Sequence, residues 1–149
     1  MASRGAPLFA QPLATWERDG LKAALLRAGL PTDDVEDEGA LFWRFERDDV
    51  PVGFAGLEVH GPDALLRSIV TLPPLRQRGV GAAMVAKMEV EARARSARAM
   101  YLVTQGDDAF FAKIGYARCE REQVPAAIAA TPVFARLCQA AGTAMVKPI

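Results

Sequence analysis

Apolar residues recur at helical spacing after Thr15, at Leu21, Leu25, Leu26 and Ala28, and the pattern stops at Gly29 ahead of Pro31, which predicts a first helix. Leu8 and Phe9, between Pro7 and Pro12, suit a short strand before it. The acids Asp33, Asp34, Glu36, Asp37 and Glu38 read as a solvated turn. Apolar runs at Leu41–Arg47 and Val52–Val59, separated by Asp48, Asp49 and Pro51, predict a hairpin. His60, Gly61, Pro62 and Asp63 then break the chain, and Leu65–Leu72 is a third strand stopped by Pro73 and Pro74, which cannot continue a ladder.

Arg76, Gln77, Arg78, Gly79, Val80 and Gly81 lead into a second helix, with Val80, Met84, Val85, Met88 and Ala92 as its apolar stripe and Lys87, Glu91 and Arg95 opposite. Met100–Thr104 reads as a strand, Gln105–Asp107 as a turn, and Asp108–Ile114 as a short helix ended by Gly115. A strand at Tyr116–Glu120, two short helices with Pro125 and Pro132 at their first positions, and a last strand at Thr143–Lys147 complete the pattern. The helix between Leu65–Leu72 and Met100–Thr104 is long enough to cross over, so those two strands run parallel while the early hairpin is antiparallel. The fold class expected is α/β, a central mixed sheet with helices on both faces, with a ligand crevice at the carboxyl ends of the parallel strands.

A chain of 149 residues is the size of one domain, expected to span 1–149, and its 51% apolar and 24% charged content is that of a globular protein. Eighteen basic and 18 acidic residues leave no excess of sign to draw it onto nucleic acid or an anionic membrane. Any anion must therefore be held by local geometry. No long apolar run or leader-like start is present, so a cytoplasmic location is expected. Cys119, Cys138 and His60 lack metal-ligand spacing, so no metal is expected, and the two thiols read as small buried hydrophobes. Trp16 and Trp43 are expected in the core or at an interface.

The turn before the second helix carries the chemistry. A helix N-terminus offers free amides and the positive end of the macrodipole, and glycines there let a phosphate approach the backbone. Three polar side chains stand out in the strands. Glu58, near the end of its strand between Leu57 and Val59, is a candidate general base. Arg67 and Ser68 interrupt an otherwise apolar strand. A buried arginine needs an anionic partner, either a ligand's anionic group held by the guanidinium fork or Glu58 itself. Ser68 is the second candidate for the chemistry.

Ile69-Val70-Thr71, Pro73 and Arg76-Gln77-Arg78-Gly79-Val80-Gly81-Ala82 resemble the acetyl-CoA motif, R/Q-x-x-G-x-G/A, of the GCN5-related N-acetyltransferase (GNAT) superfamily. Tyr101-Leu102-Val103-Thr104 followed by Ala109-Phe110-Phe111-Ala112-Lys113-Ile114-Gly115-Tyr116 is similar to that superfamily's second motif. Leu65-Leu66-Arg67-Ser68 and a tail with Pro125, Ile128, Thr131, Phe134, Leu137-Cys138 and Met145-Val146-Lys147 resemble the acetyltransferases of bacterial arsenic-resistance clusters.

The resemblance implies acetyl-CoA as co-substrate and a small, amino-acid-like amine as acceptor. The pyrophosphate would rest on the amides of Arg78, Gly79, Val80, Gly81 and Ala82, with Arg76 and Gln77 in the same motif. Pantetheine would pair with the backbone of Ile69, Val70 and Thr71, and an amide around Ile69 or Val70 would polarise the thioester. Thr104 would bond the cofactor from the other side. Phe111 stands at the cofactor where many members have a tyrosine that protonates the leaving thiolate, which opens the alternative of a catalytically weak CoA-binding or sensing module. Tyr116 is a second candidate for that acid. A third alternative is an arsenical held by Cys119 and Cys138. An edge strand in such folds also makes a homodimer an expectation.

Overall fold

The computed structural model describes residues 7–30, 32, 35, 39–72, 79–139 and 141–149. Among them are strands β1 (Phe9–Pro12), β2 (Ala40–Arg47), β3 (Val50–His60), β4 (Asp63–Thr71), β5 (Ala99–Thr104), β6 (Ala117–Arg118) and β7 (Thr143–Pro148). The helices are α1 (Asp19–Arg27), α2 (Val80–Ala94), α3 (Asp108–Lys113), α4 (Ala126–Ala129) and α5 (Pro132–Gln139). The strands form one mixed sheet in the order β1-β2-β3-β4-β5-β7-β6. β4 and β5 are parallel, as the α2 crossover requires, and β7 is antiparallel to both β5 and β6.

Several boundaries differ from the sequence pattern for local reasons. Thr15–Glu17 is a 3-10 turn in which the Ala14 amide donates to Glu17 Oε1 at 2.9 Å, and α1 starts only at Asp19. α1 buries Leu21, Ala24 and Leu25, whereas Leu26, expected on the same stripe, is 67% exposed because one further residue turns it about 100° away. The break expected at His60–Asp63 shrinks to a two-residue turn, Gly61–Pro62, with Gly61 at φ 65°, so His60 and Asp63 both belong to strands. Pro51 lies at the second residue of β3, an end position where a missing N–H is tolerated. The strand expected at Tyr116–Glu120 contracts to Ala117–Arg118. Pro132 opens α5, with the Phe134 amide donating to Thr131 Oγ1, but Pro125 sits at the N-cap of α4, one residue earlier than expected. Trp43 is buried, and Trp16 is 84% exposed.

Contacts group the chain into two compact units, one made of the chain up to Gly56 with Ser68–Met88, the other of Leu57–Arg67 with Glu89–Ile149. The first has a core of Leu21, Leu25, Phe42, Phe54 and Val70 with their neighbours. Beside it the buried Arg18 guanidinium donates to the carbonyls of Val35 and Ala40 and lies over the Phe42 ring. The second core joins Leu65, Val124, Ile128, Phe134, Cys138 and Ala144, with Cys119 packed against it. Both cysteines are free thiols, and burial pushes both thiols up from their usual range.

Candidate active site

In the first unit the site begins where α2 begins. Gly79 takes φ 90°, a conformation that side-chain-bearing residues rarely adopt, and among the described residues nothing within 4 Å would meet a Cβ there. Dihedral strain, and not crowding, is what asks for glycine. The first helical bond runs from the Ala83 amide to Gly79 O at 3.0 Å, so the amides of Gly79, Val80, Gly81 and Ala82 have no carbonyl within α2 to bond. They are presented, with the helix dipole, at a 15-residue helix. Val80, Met84, Val85, Met88 and Ala92 are all buried, as their spacing predicts. Arg76, Gln77 and Arg78 lie outside the described residues.

β4 supplies the second part. The Leu72 amide donates to Val52 O at 2.9 Å, and a Cβ built on Gly53 would lie 2.6 Å from Val70 O. The backbones of Val70 and Leu72 therefore face β3. Because successive residues of a strand point their N–H and C=O groups to opposite sides, Ile69 and Thr71 direct theirs away from β3, while the Val70 side chain is in the core. The expected strand-like pairing thus falls to Ile69 and Thr71, and the Val70 backbone is committed to the sheet. Just before them Ser68 has φ 57° in mid-strand. From the Gly61–Pro62 turn to the Leu72–Val52 bond, β4 is one residue longer than β3, and a left-handed residue of this kind is how a bulge absorbs the extra one. Ser68 therefore earns its place first through its backbone.

The second unit holds the charged residues. Glu58 and Arg67 are 8% and 4% exposed, and Arg67 Nη1 donates to Glu58 Oε2 at 2.7 Å. Of the two partners open to Arg67, the internal one is present. His60 lies two residues from Glu58 on β3, hence on the same face, with Nε2 3.4 Å from Glu58 Oε1. Nearby β4 and β5 are registered at Asp63–Ala99, Ala64–Met100 and Leu65–Tyr101.

Thr104, the last residue of β5, is buried opposite Thr143 of β7. Phe111 of α3 is buried with its ring edge-on to Phe110 at 5.0 Å and to Tyr116 at 5.8 Å. The Tyr116 hydroxyl donates to Glu89 Oε2 at 2.9 Å, and Lys147 Nζ donates to the same carboxylate at 3.0 and 3.1 Å. Burial first, and Glu89 second, push the Tyr116 phenol far above its ordinary range, so it is a structural donor and a poor acid. This network was not foreseen, although Glu89 sits four residues beyond Val85 on the apolar stripe. A separate open hollow of ≈ 480 Å³ lies beside α3, lined by Ala109, Ala112, Tyr116 and Met145 and flanked by the 2.8 Å Arg118–Asp108 ion pair.

The model of the family described as "Acetyltransferase (GNAT) family" matches residues 9–116, and the chain belongs to this family. A search of curated protein sequences finds no match. Among solved structures it is similar to N-acetylglutamate synthase from Neisseria gonorrhoeae complexed with coenzyme A and L-arginine (TM-score 0.76, 14% identity, 99% of this chain and 34% of that one). The same synthase complexed with coenzyme A and N-acetyl-glutamate aligns with a TM-score of 0.75 at 13% identity, over 98% of this chain and 36% of that one. The chain thus spans about a third of the synthase's length. A GNAT-family acetyltransferase from Staphylococcus aureus Mu50 aligns over 95% of this chain and 99% of its own, with a TM-score of 0.75 and 14% identity. Among the described residues no helix is long and apolar enough to cross a membrane.

Proposed function

We propose that the protein is an acetyl-CoA-dependent N-acetyltransferase acting on the amine of a small, amino-acid-like acceptor. The observation that carries this reading is the pairing, within one unit, of an α2 start whose amides lack helical partners with a β4 end whose Ile69 and Thr71 backbone groups face away from β3. The two match the two halves of acetyl-CoA, an anionic pyrophosphate and an amide-bearing chain that can pair like a strand. When bound, acetyl-CoA supplies the activated acyl group. The amides of Gly79–Ala82 hold its phosphates, and the Ile69 amide polarises the thioester carbonyl as negative charge develops on oxygen.

On the acceptor side, Glu58 takes the proton that the ammonium must lose before its nitrogen can attack. Arg67 donates to that carboxylate, and its guanidinium is the group suited to an acceptor's carboxylate, phosphinate or arsenical anion. The N-acetyl-glutamate bound to the Neisseria synthase supports an amino acid as the acceptor class. The resemblance to acetyltransferases of arsenic-resistance clusters supports an arsenical or phosphinate amino acid within that class, with cytoplasmic action.

Calorimetric titration with acetyl-CoA, followed by thiol release across amino acids, aminophosphinates and arsenical amino acids, tests the reading. Binding with release for one acceptor group supports it, and absence of binding removes it. A second reading, a CoA-binding module with little turnover, is favoured by Phe111, whose ring packs against Phe110 and Tyr116 and brings no hydroxyl to the leaving thiolate. Tight binding with no release across the whole panel would select it.

A further inference from the structure

We propose that His60 is a proton relay behind Glu58, carrying the acceptor's proton from the buried carboxylate to solvent; this rests on the reading of Glu58 as the base. Three observations converge on it. His60 Nε2 lies 3.4 Å from Glu58 Oε1, the carboxylate oxygen other than the one that accepts from Arg67. That nitrogen is buried and has no hydrogen-bond partner among the described residues. The side chain as a whole is nevertheless 29% exposed. One end of the imidazole therefore faces the carboxylate inside the protein while the ring reaches water, and a few tenths of an ångström of tightening makes the inner contact a hydrogen bond, a common change when substrate binds.

The charges around it give the relay a reason. Glu58 is 8% exposed and already accepts from the Arg67 guanidinium of β4, so a proton taken there needs a path onward to water. Asp63 of β4 lies opposite His60 across the two-residue Gly61–Pro62 turn, and Glu58, with its Arg67 partner, lies two residues before it on β3.

The acceptor ammonium gives a proton to a Glu58 oxygen, breaking an N–H bond and forming an O–H bond; the freed lone pair forms a C–N bond at the thioester carbonyl, the C–S bond then breaks, and the departing thiolate takes up the second proton that the nitrogen sheds. Glu58 passes that proton to His60 Nε2, and the imidazolium releases its Nδ1 proton to water. Glu58 and His60 are then restored to their starting charge.

The test compares wild type, His60→Ala, His60→Gln and Glu58→Gln in thiol-release assays, using the acceptor found active with the wild-type protein. His60→Ala should lower kcat on the order of tenfold with the KM for acetyl-CoA unchanged, and added imidazole should restore kcat in proportion to its neutral form. His60→Gln, which fills the site without carrying a proton, should be equally slow and should not respond to imidazole. Full activity of His60→Ala alongside an inactive Glu58→Gln overturns the relay and leaves the base in place. Full activity of Glu58→Gln overturns the base and the relay together. Slow His60→Ala that imidazole does not rescue also counts against the relay, since a role in packing alone predicts that result.

Discussion

Tyr116→Phe separates a structural tyrosine from a catalytic one. The substitution removes a single hydroxyl from a side chain that is 3% exposed, and the hydroxyl's partner is the buried carboxylate of Glu89. A hydrogen bond to a charged group contributes roughly 1.5–3 kcal/mol. Glu89 keeps two contacts from Lys147, so the carboxylate is weakened in its pairing but not abandoned, and about 2 kcal/mol is expected. For a chain of this length that corresponds to a fall in Tm of roughly 4–8 °C.

The sign of the pH dependence follows from the raised Tyr116 pKa. In the folded protein the phenol stays protonated, whereas in the unfolded chain it ionises above about pH 10. Its stabilisation is complete below that pH and is lost as pH rises further, so the gap between wild type and Tyr116→Phe should narrow above about pH 10. Urea melts at neutral pH and at pH 10 to 11 measure this, with kcat followed in parallel. Because Tyr116 donates to Glu89 and not to a leaving group, kcat should stay within about threefold, whereas a general acid would cost about 100-fold or more. An unchanged melting midpoint with a 100-fold loss of kcat would refute the argument and make Tyr116 the acid.

Substitutions at three further positions test the cofactor-side geometry. Gly79→Glu places a carboxylate beside the α2 amides and a side chain at φ 90°, so acetyl-CoA binding should fall below calorimetric detection in a folded variant, while Gly79→Ala should retain part of it. Ser68→Val, with a branched side chain at φ 57°, should destabilise the protein by about 1–2 kcal/mol in chemical denaturation, and Ser68→Gly should be near neutral. Gly53→Ala puts a methyl 2.6 Å from Val70 O and 2.7 Å from Met84 Sδ; the methionine can yield but the carbonyl cannot. Overpacking there should cost about 1–3 kcal/mol and raise the KM for acetyl-CoA more than it lowers kcat, because α2 and β4 are pushed apart at the cofactor-holding end.

The parts of the site that were legible in the sequence are those written in local punctuation. Pro73 and Pro74 break a branched apolar run, Gly79 precedes a stripe with helical spacing, and the next apolar run follows with no gap, so the crossover and its glycine-led helix start could be read directly. What stayed hidden depends on partners distant in the chain or on backbone conformation that composition does not encode. Glu89 is buried because Tyr116 and Lys147, 27 and 58 residues later, reach it. Ser68 gives no sign that it will take φ 57°, since serine is at home in an ordinary strand. His60 looked like part of a loop because glycine and proline follow it, but a two-residue turn leaves it inside the ladder, where the period of two brings it onto Glu58.

These hidden features share a physical consequence. The bulge at Ser68 sets which backbone groups at the end of the strand face away from β3, and the residue immediately before it, Arg67, is the one that donates to Glu58. Because the extra residue of β4 is taken up in the bulge, removing one residue between Asp63 and Ser68 makes the two strands equal in length and leaves Leu72 opposite Val52, so Ile69 and Thr71 keep their direction away from β3. Deleting Ser68 should therefore retain acetyl-CoA binding with Arg67 on its face, since the deletion lies after it. Deleting Leu66 should keep the same register but turn Arg67 to the opposite face, leaving Glu58 without its guanidinium and lowering thiol release. Acetyl-CoA titration and thiol release on the two deletions, with melting curves to establish folding, distinguish these effects, and lost binding in a folded Ser68 deletion would show that register alone does not make the cofactor site.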